Sequence, residues 1–425
     1  MAVIENIIIK GMTPVINDGI EWILSKKERE LIMPHVFFKD GEPWVEANHY
    51  ALTNIQNMVW GSIKTAISNM NHLKAYASWL EENNTHWQYF PIMEKERCIH
   101  RFRGYLIEQR DSGKLAPSTA KHRMLAVLNF YKWIESKKII KSGLWTEAKQ
   151  TVKFVDDVGF KRSITVSYSD LTIKNRRRIG CSLEDGLSPI TSELRELLLK
   201  ILYENDKEEL YLMHKIAFFT GARSETIRTL QLESLENTIS VGKDDGIKCV
   251  RVGPPTKVKT KYGVSGLILF PTTLLHELIE YYYSTRRLER QLKSKNQKSS
   301  TLFITRSGNP YSDTSFTKEI SDMRVFLSGK GYNQFLSFKF HQARATYGTM
   351  LMNFALEIFP FTANAIGFVR NAMLHKHEST TWRYVKFIEY ESFKEKLSDE
   401  FFRLFTASTS YEKEIIAKVT YADLE

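Results

Sequence analysis

Cysteine is scarce. The 425 residues hold three, Cys98, Cys181 and Cys249, far apart and without C-x-x-C spacing. That argues against a disulfide framework or a cysteine zinc site and points to a reducing compartment, the cytoplasm. Long apolar runs are also missing. No stretch reaches the roughly eighteen residues of a membrane-crossing helix. The opening "MAVIENIIIKGMTPV" has one short run, Ile7–Ile9, behind Glu5, and lacks the basic region and longer core of a signal peptide. No internal repeat or low-complexity tract is visible. Acid is in deficit, with 49 Asp+Glu against 60 Lys+Arg and a formal charge of +11. A basic balance suits a polyanionic partner, nucleic acid or an acidic membrane surface. The carboxylates show no paired spacing of the two-metal nuclease kind, so they single out no metal site.

What is present is a length that suits two or three domains and an ordinary apolar share of 43%. Residues 1–50 show no strong period. From about Leu52 the pattern becomes helical: Ile63, Ile67, Met70, Leu73, Ala77 and Leu80 form one stripe at steps of three and four. "LAPSTAKHRMLAVLNFYKWIESKK" predicts a helix capped by Ser118 or Thr119, with Met124, Leu128, Tyr131 and Ile134 buried. Lys121 and Arg123 then lie on a basic edge, candidates for DNA contact. Residues 151–187 lose the helical period and include "IKNRRRIG". They read as an extended basic linker, with Arg176 and Arg177 as further candidate DNA contacts. A second unit begins at "LSPITSELRELLLKILYEN", where Thr191 or Ser192 caps a helix. The period then changes to two: "NTISVGKDDGIKCVRVG" holds two strands, "PPTKVKTKYG" a basic hairpin loop, and "VSGLILFP" a third strand. The remainder is helical, interrupted by an exposed basic stretch, "TRRLERQLKSKNQKSS". The fold class is therefore α+β, mainly α with a small antiparallel β-sheet.

Chemistry concentrates in the second unit. Arg223 stands two residues after a glycine in "TGARSET", and Arg344 lies in "FHQARATYGTM", three residues after His341. Two guanidinium forks suit the oxygens of one phosphate, and a histidine adds a donor or exchanges a proton. "MLHKHESTTWRYVKF" places Tyr384 nine residues after His375. Cations around it would stabilise a phenolate and so activate it as a nucleophile.

The ordered set resembles the tyrosine recombinase (phage integrase) family over roughly residues 50–390. "TGAR", "HQARATYGT" and "LHKHESTTWRY" are similar to its three motifs, and "APSTAKHRMLAVLNFYKWI" to the last part of its core-binding domain. Departures are Thr226 where an acid is frequent, Ala343 for leucine, and Leu374 for the glycine before the third-motif histidine. The resemblance implies a two-domain DNA clamp. Residues 1–50 would be an N-terminal extension or arm, 51–150 a helical core-binding domain, 151–187 the linker, 188–405 the catalytic domain and 406–425 a tail. It implies a site-specific recombinase, with no cofactor. Arg223 and Arg344 hold the scissile phosphate. Tyr384 attacks it to give a 3′-phosphotyrosyl link. His341 takes the tyrosyl proton or orients the phosphate, and His375 donates to a non-bridging oxygen. A hairpin lysine protonates the leaving 5′-oxygen. Lys257 is the first choice, Lys259 the runner-up and Lys261 third. The implied partners are double-stranded DNA at specific sites, a homotetramer and accessory DNA-bending proteins. Phe393, Leu397, Phe401 and Leu404 are expected on a helix docking to a neighbouring protomer. The rival readings are a type IB topoisomerase-like enzyme and a non-catalytic DNA-binding protein of the same fold.

Overall fold

Gly221, the C-cap of a helix and two residues before Arg223, falls in the second of two units into which the chain divides, Met1–Arg178 and Ile179–Glu425. The computed structural model describes residues 1–10, 12–16, 20–24, 30–155, 161–174, 183, 186–241, 246–294 and 300–389. Arg176, Arg177 and the segment carrying Phe393, Leu397, Phe401 and Leu404 lie outside these described residues.

The first unit opens with paired strands: β1 (Val3–Ile9) runs antiparallel to β4 (Leu31–Phe37), and β2 (Met12–Ile16) to β3 (Ile20–Leu24). Helices α1 (Val45–Gln56), α2 (Ile63–Glu82), α3 (Cys98–Asp111) and α4 (Pro117–Ser136) follow. Ser62 caps α2 by accepting the Thr65 N–H at 3.2 Å. The expected cap of α4 at Ser118 or Thr119 is corrected. The helix starts at Pro117 behind Ala116, since the fixed φ and missing N–H of proline suit the first helical position. Met124, Leu128, Tyr131 and Ile134 are buried as the spacing predicts. The core is aromatic, with Trp44, Tyr76, Phe102, Phe130 and Tyr131 fully enclosed. Its buried hydroxyls are paired: Tyr76 and Tyr131 oxygens lie 2.7 Å apart, and Tyr131 donates to the Trp87 carbonyl at 2.6 Å. Burial pushes both phenols well above their usual pKa. The start of the expected linker is a hairpin, β5 (Glu147–Val155) with β6 (Lys161–Ser169).

In the second unit Thr191 caps α5 (Ser192–Glu204) through the Leu194 N–H at 3.3 Å. Helices α6 (Glu208–Thr220), α7 (Ser224–Arg228) and α8 (Leu232–Glu236) lead to an antiparallel sheet of order β7 (Ile239–Ser240), β8 (Ile247–Val252), β9 (Gly266–Pro271). Then come α9 (Thr272–Tyr283), α10 (Thr285–Leu292), α11 (Asp313–Gly329), α12 (His341–Ile358), α13 (Thr362–Ala372) and α14 (378–389). The basic stretch from Thr285 is not the exposed interruption expected. Its first half is α10, and Arg287 is fully buried, donating to the Leu302 and Thr301 carbonyls at 2.9 and 2.6 Å beneath the Tyr282 ring. Arg290 pairs with buried Glu209 at 2.8 Å. These arginines hold α10 to the core, a use of charge that composition does not distinguish from a solvated face.

Candidate active site

The first cation is placed by a glycine. α6 ends because Gly221 takes φ +64°, the left-handed conformation that a helix C-terminus uses and that glycine adopts without strain. Arg223 follows in extended conformation as the N-cap of α7, so it projects from a corner between two helices. Gly221 also has no room for a side chain, since a Cβ there would run into the Tyr347 ring, 2.9 Å from Cε1.

The same glycine receives the second cation. Arg344 is 3% exposed, and its guanidinium donates to the Gly221 carbonyl at 2.5 Å and to the Met373 carbonyl at 2.7 Å. Two backbone acceptors from different segments thus fix the planar fork. Tyr347, next to it, has its phenol pushed up to about 12 by burial, against the opposing pull of the Arg344 charge. His341 is half-buried in the first turn of α12, three residues before Arg344 and on the same helix face.

Arg223 and Arg344 line one narrow cleft together with Gly221, Thr226, Thr260, Lys261 and Met373. Lys261 is therefore the hairpin lysine brought to the two arginines. Lys257, the first choice from sequence, lines a separate recess with Gln231, Glu233, Asn237 and Arg251. Lys259 is exposed, and its backbone N–H donates to Thr229 Oγ1 at 2.8 Å. Thr226, where an acid is frequent in the family pattern, is 3% exposed and lines the arginine cleft.

A second cleft of about 200 Å³ shares Arg223 and Lys261 with the first and adds Tyr262, His375, Lys376, His377, Thr380 and Arg383. The sequence reading did not single out Tyr262, Lys376 or His377. The signal available was their position within two residues of Lys261 or His375. His375 is 5% exposed, and its Nδ1 lies 2.9 Å from Thr381 Oγ1, which fixes the ring and turns Nε2 the other way. Leu374 takes a left-handed backbone conformation, φ 51°, the region that favours glycine. Its side chain lies over Gly266, where a Cβ would collide with it.

Tyr384, on α14, is fully buried. Its ring stacks on His375, with centroids 6.0 Å apart and planes at 20°, and packs against Gly348 and Met373. Neither Tyr384 nor His341 lines the two clefts.

In the first unit Lys121 is exposed on α4. Arg123 is half-buried, its Nε enclosed without a hydrogen-bond partner. Burial, helped by Arg123 and His122, lowers the pKa of nearby His72. Among the described residues one trio has ligand atoms within reach of a common ion, Glu94, His100 and Asp170. His100 bonds Asp170 at 3.2 Å and Arg97 meets Glu94 at 3.4 Å, so each carboxylate has a partner within that unit.

The sequence matches no protein-family model and no curated protein. Among solved structures the chain is similar to XerH site-specific recombinase bound to palindromic difH substrate, at 15% identity over 80% of this chain and 81% of that one, TM-score 0.48. It is similar to a lambda integrase dimer bound to a COC′ core site, at 15% identity over 80% and 76%, TM-score 0.47. It is also similar to the Tn1549 transposon integrase in complex with transposon right end DNA, at 13% identity over 76% and 92%, TM-score 0.44. All three are tyrosine recombinases, and each likeness covers most of this chain.

Proposed function

We propose that the chain is a site-specific DNA recombinase that cuts and rejoins strands through a tyrosyl phosphodiester. The observation that carries this is the shared cationic lining of two adjoining clefts, with Arg223 and Lys261 common to both, Arg344 in one, and His375, Lys376 and Arg383 in the other. A row of cations suits successive phosphates of one strand. In this mechanism Arg223 and Arg344 hold the non-bridging oxygens and offset charge developing in the transition state. Tyr384 Oη forms a bond to phosphorus as the P–O5′ bond breaks. The tyrosyl proton passes to His341, Lys261 protonates the leaving 5′-oxygen, and His375 donates to a non-bridging oxygen. The link conserves the phosphodiester, so the reverse attack by a 5′-hydroxyl rejoins a strand without a cofactor. Exchange between two duplexes uses four such attacks, which suits a homotetramer on DNA. Lys121 and Arg123 would add phosphate contacts from the first unit.

A non-catalytic DNA-binding protein of this fold is the second reading, and the complete burial of Tyr384 favours it. One experiment separates the two. Radiolabelled nicked DNA from the flanks of the encoding gene is incubated with the protein and run on a denaturing gel. A covalent adduct that Tyr384→Phe abolishes supports the recombinase; absence of an adduct across the flanking DNA supports the binding protein.

A further inference from the structure

The hairpin that brings Lys261 to the arginines displays a residue the phosphate chemistry leaves unused. Thr260–Gly263 is a tight turn closed by the Gly263 N–H to the Thr260 carbonyl at 3.1 Å. Tyr262 stands at its third position with φ 65° and ψ 16°. That position ordinarily takes glycine or asparagine, because a Cβ is crowded in the left-handed region. Burial does not compensate, since Tyr262 is 75% exposed. The turn is braced rather than loose: Thr260 Oγ1 donates to the Val264 carbonyl at 2.7 Å, and Ser265 Oγ donates to the Pro254 carbonyl. A strained backbone on a braced turn that exposes an aromatic ring points to a use for the ring.

Its surroundings indicate which use. The Lys261 ammonium lies 5.4 Å from the ring centroid and the Lys376 ammonium 5.7 Å. The ring forms part of the cleft wall beside Arg223, His375 and Arg383. Cations that track phosphates next to an open aromatic face are how proteins hold unpaired nucleotides, with the base lying on the ring. Strand exchange also creates unpaired bases, because a strand freed at its 5′-oxygen must leave its complement before joining another.

We propose that Tyr262 is a stacking site for a nucleobase unpaired beside the phosphate held by Arg223 and Arg344. The inference rests on the strand-transfer reading and adds a ligand to it, a base that has left the duplex next to the cut.

The probe is a short duplex interrupted by a gap of a few nucleotides, with 5-iododeoxyuridine in the unpaired strand; the control is the same duplex fully paired. Irradiation of the full chain with the gapped probe should give a crosslink that peptide mass spectrometry maps to Tyr262, and much less with the control. Tyr262→Ala should abolish the crosslink and weaken binding of the gapped probe about 5- to 100-fold, leaving the paired probe unchanged. Tyr262→Phe should retain the binding. Equal crosslinking to both probes, or undiminished binding of the gapped probe by Tyr262→Ala, overturns the stacking site. The adduct assay reads the parent proposal separately. An adduct from the wild type together with an indifferent Tyr262→Ala rejects only the base site, whereas no adduct removes both.

Discussion

Gly348 lies directly against the ring of Tyr384, so close that a Cβ on Gly348 would come within 2.7 Å of Tyr384 Cζ. One missing side chain on α12 thus makes the space in which the candidate nucleophile is enclosed. The proposed mechanism requires Tyr384 to leave this packing, since its side chain is fully buried. Gly348→Ala should expel the ring. In DNA-free protein, tetranitromethane should nitrate Tyr384 several-fold faster in the variant, and overpacking should destabilise the fold by about 1–3 kcal/mol. Equal nitration of the two proteins would show that the ring is not held by this contact.

The Leu374 side chain and Gly266 form a second fitted pair. Leucine at φ 51° carries backbone strain of roughly 1–2 kcal/mol that glycine would not. Gly266→Ala should destabilise by about 1–3 kcal/mol through collision with the leucine. Adding Leu374→Gly should recover most of that loss, giving a coupling of about 1 kcal/mol or more in a urea-denaturation double-mutant cycle. Simple additivity would contradict the fit.

Lys261, not Lys257, is expected to be the general acid. Lys261→Ala should slow adduct formation by about 10²- to 10⁴-fold on ordinary DNA. Replacing the bridging 5′-oxygen by sulfur, a leaving group that needs no acid, should restore it. Lys257→Ala and Lys259→Ala should remain within a few-fold of wild type on both substrates. Sulfur rescue of the Lys257 variant instead would return the role to the sequence-based choice.

These cases show what the sequence could convey. Helical stripes were legible because burial repeats every three to four residues: Met70, Leu73, Ala77 and Leu80 all face the core. Strand β4 was not, because Met33, Pro34 and Val36 are buried together and break the alternation a half-buried strand shows. Arg223 and Arg344 stood out because each sits in a short motif whose backbone requirement, the glycine before Arg223 and the helix start before Arg344, is written next to it. Choosing among three lysines needed the path of the hairpin loop. Its turn at Thr260–Gly263 hinges on a tyrosine where turn chemistry leads one to look for glycine. The burial of Tyr384 depends on Gly348, thirty-six residues away in sequence, and no local pattern joins them.

Arg344→Lys should keep the charge and lose the reaction. A lysine ammonium lacks the planar fork that spans the Gly221 and Met373 carbonyls while facing the cleft. Adduct formation should fall by about 10²- to 10³-fold, the usual loss on removing one positioned donor, while filter binding of the same DNA changes only a few-fold. Parallel losses in binding and cleavage would assign Arg344 to affinity rather than to the transition state.

Acid should destabilise the second unit through His214. This residue of α6 is fully buried, edge-on to Phe340 at 4.8 Å, the residue just before the His341 turn. Its Nδ1 lies 2.7 Å from the Leu210 carbonyl, which can only accept, so the proton sits on Nδ1. Nε2 is enclosed without a hydrogen-bond partner. Burial pushes the imidazole pKa down to about 4, the Leu210 bond opposing. The folded value is thus below the ordinary one near 6.5, and the unfolded chain takes up the proton first. The stabilising contribution is complete above about pH 6.5 and is lost as pH falls toward about 4, a total of about 3 kcal/mol. At pH 5 the loss should already be about 2 kcal/mol. His214→Leu cannot titrate, so the fall in its unfolding free energy between pH 7.5 and 5, measured in urea, should be smaller by about that amount. An unchanged pH dependence in the variant would mean that other groups carry the acid sensitivity.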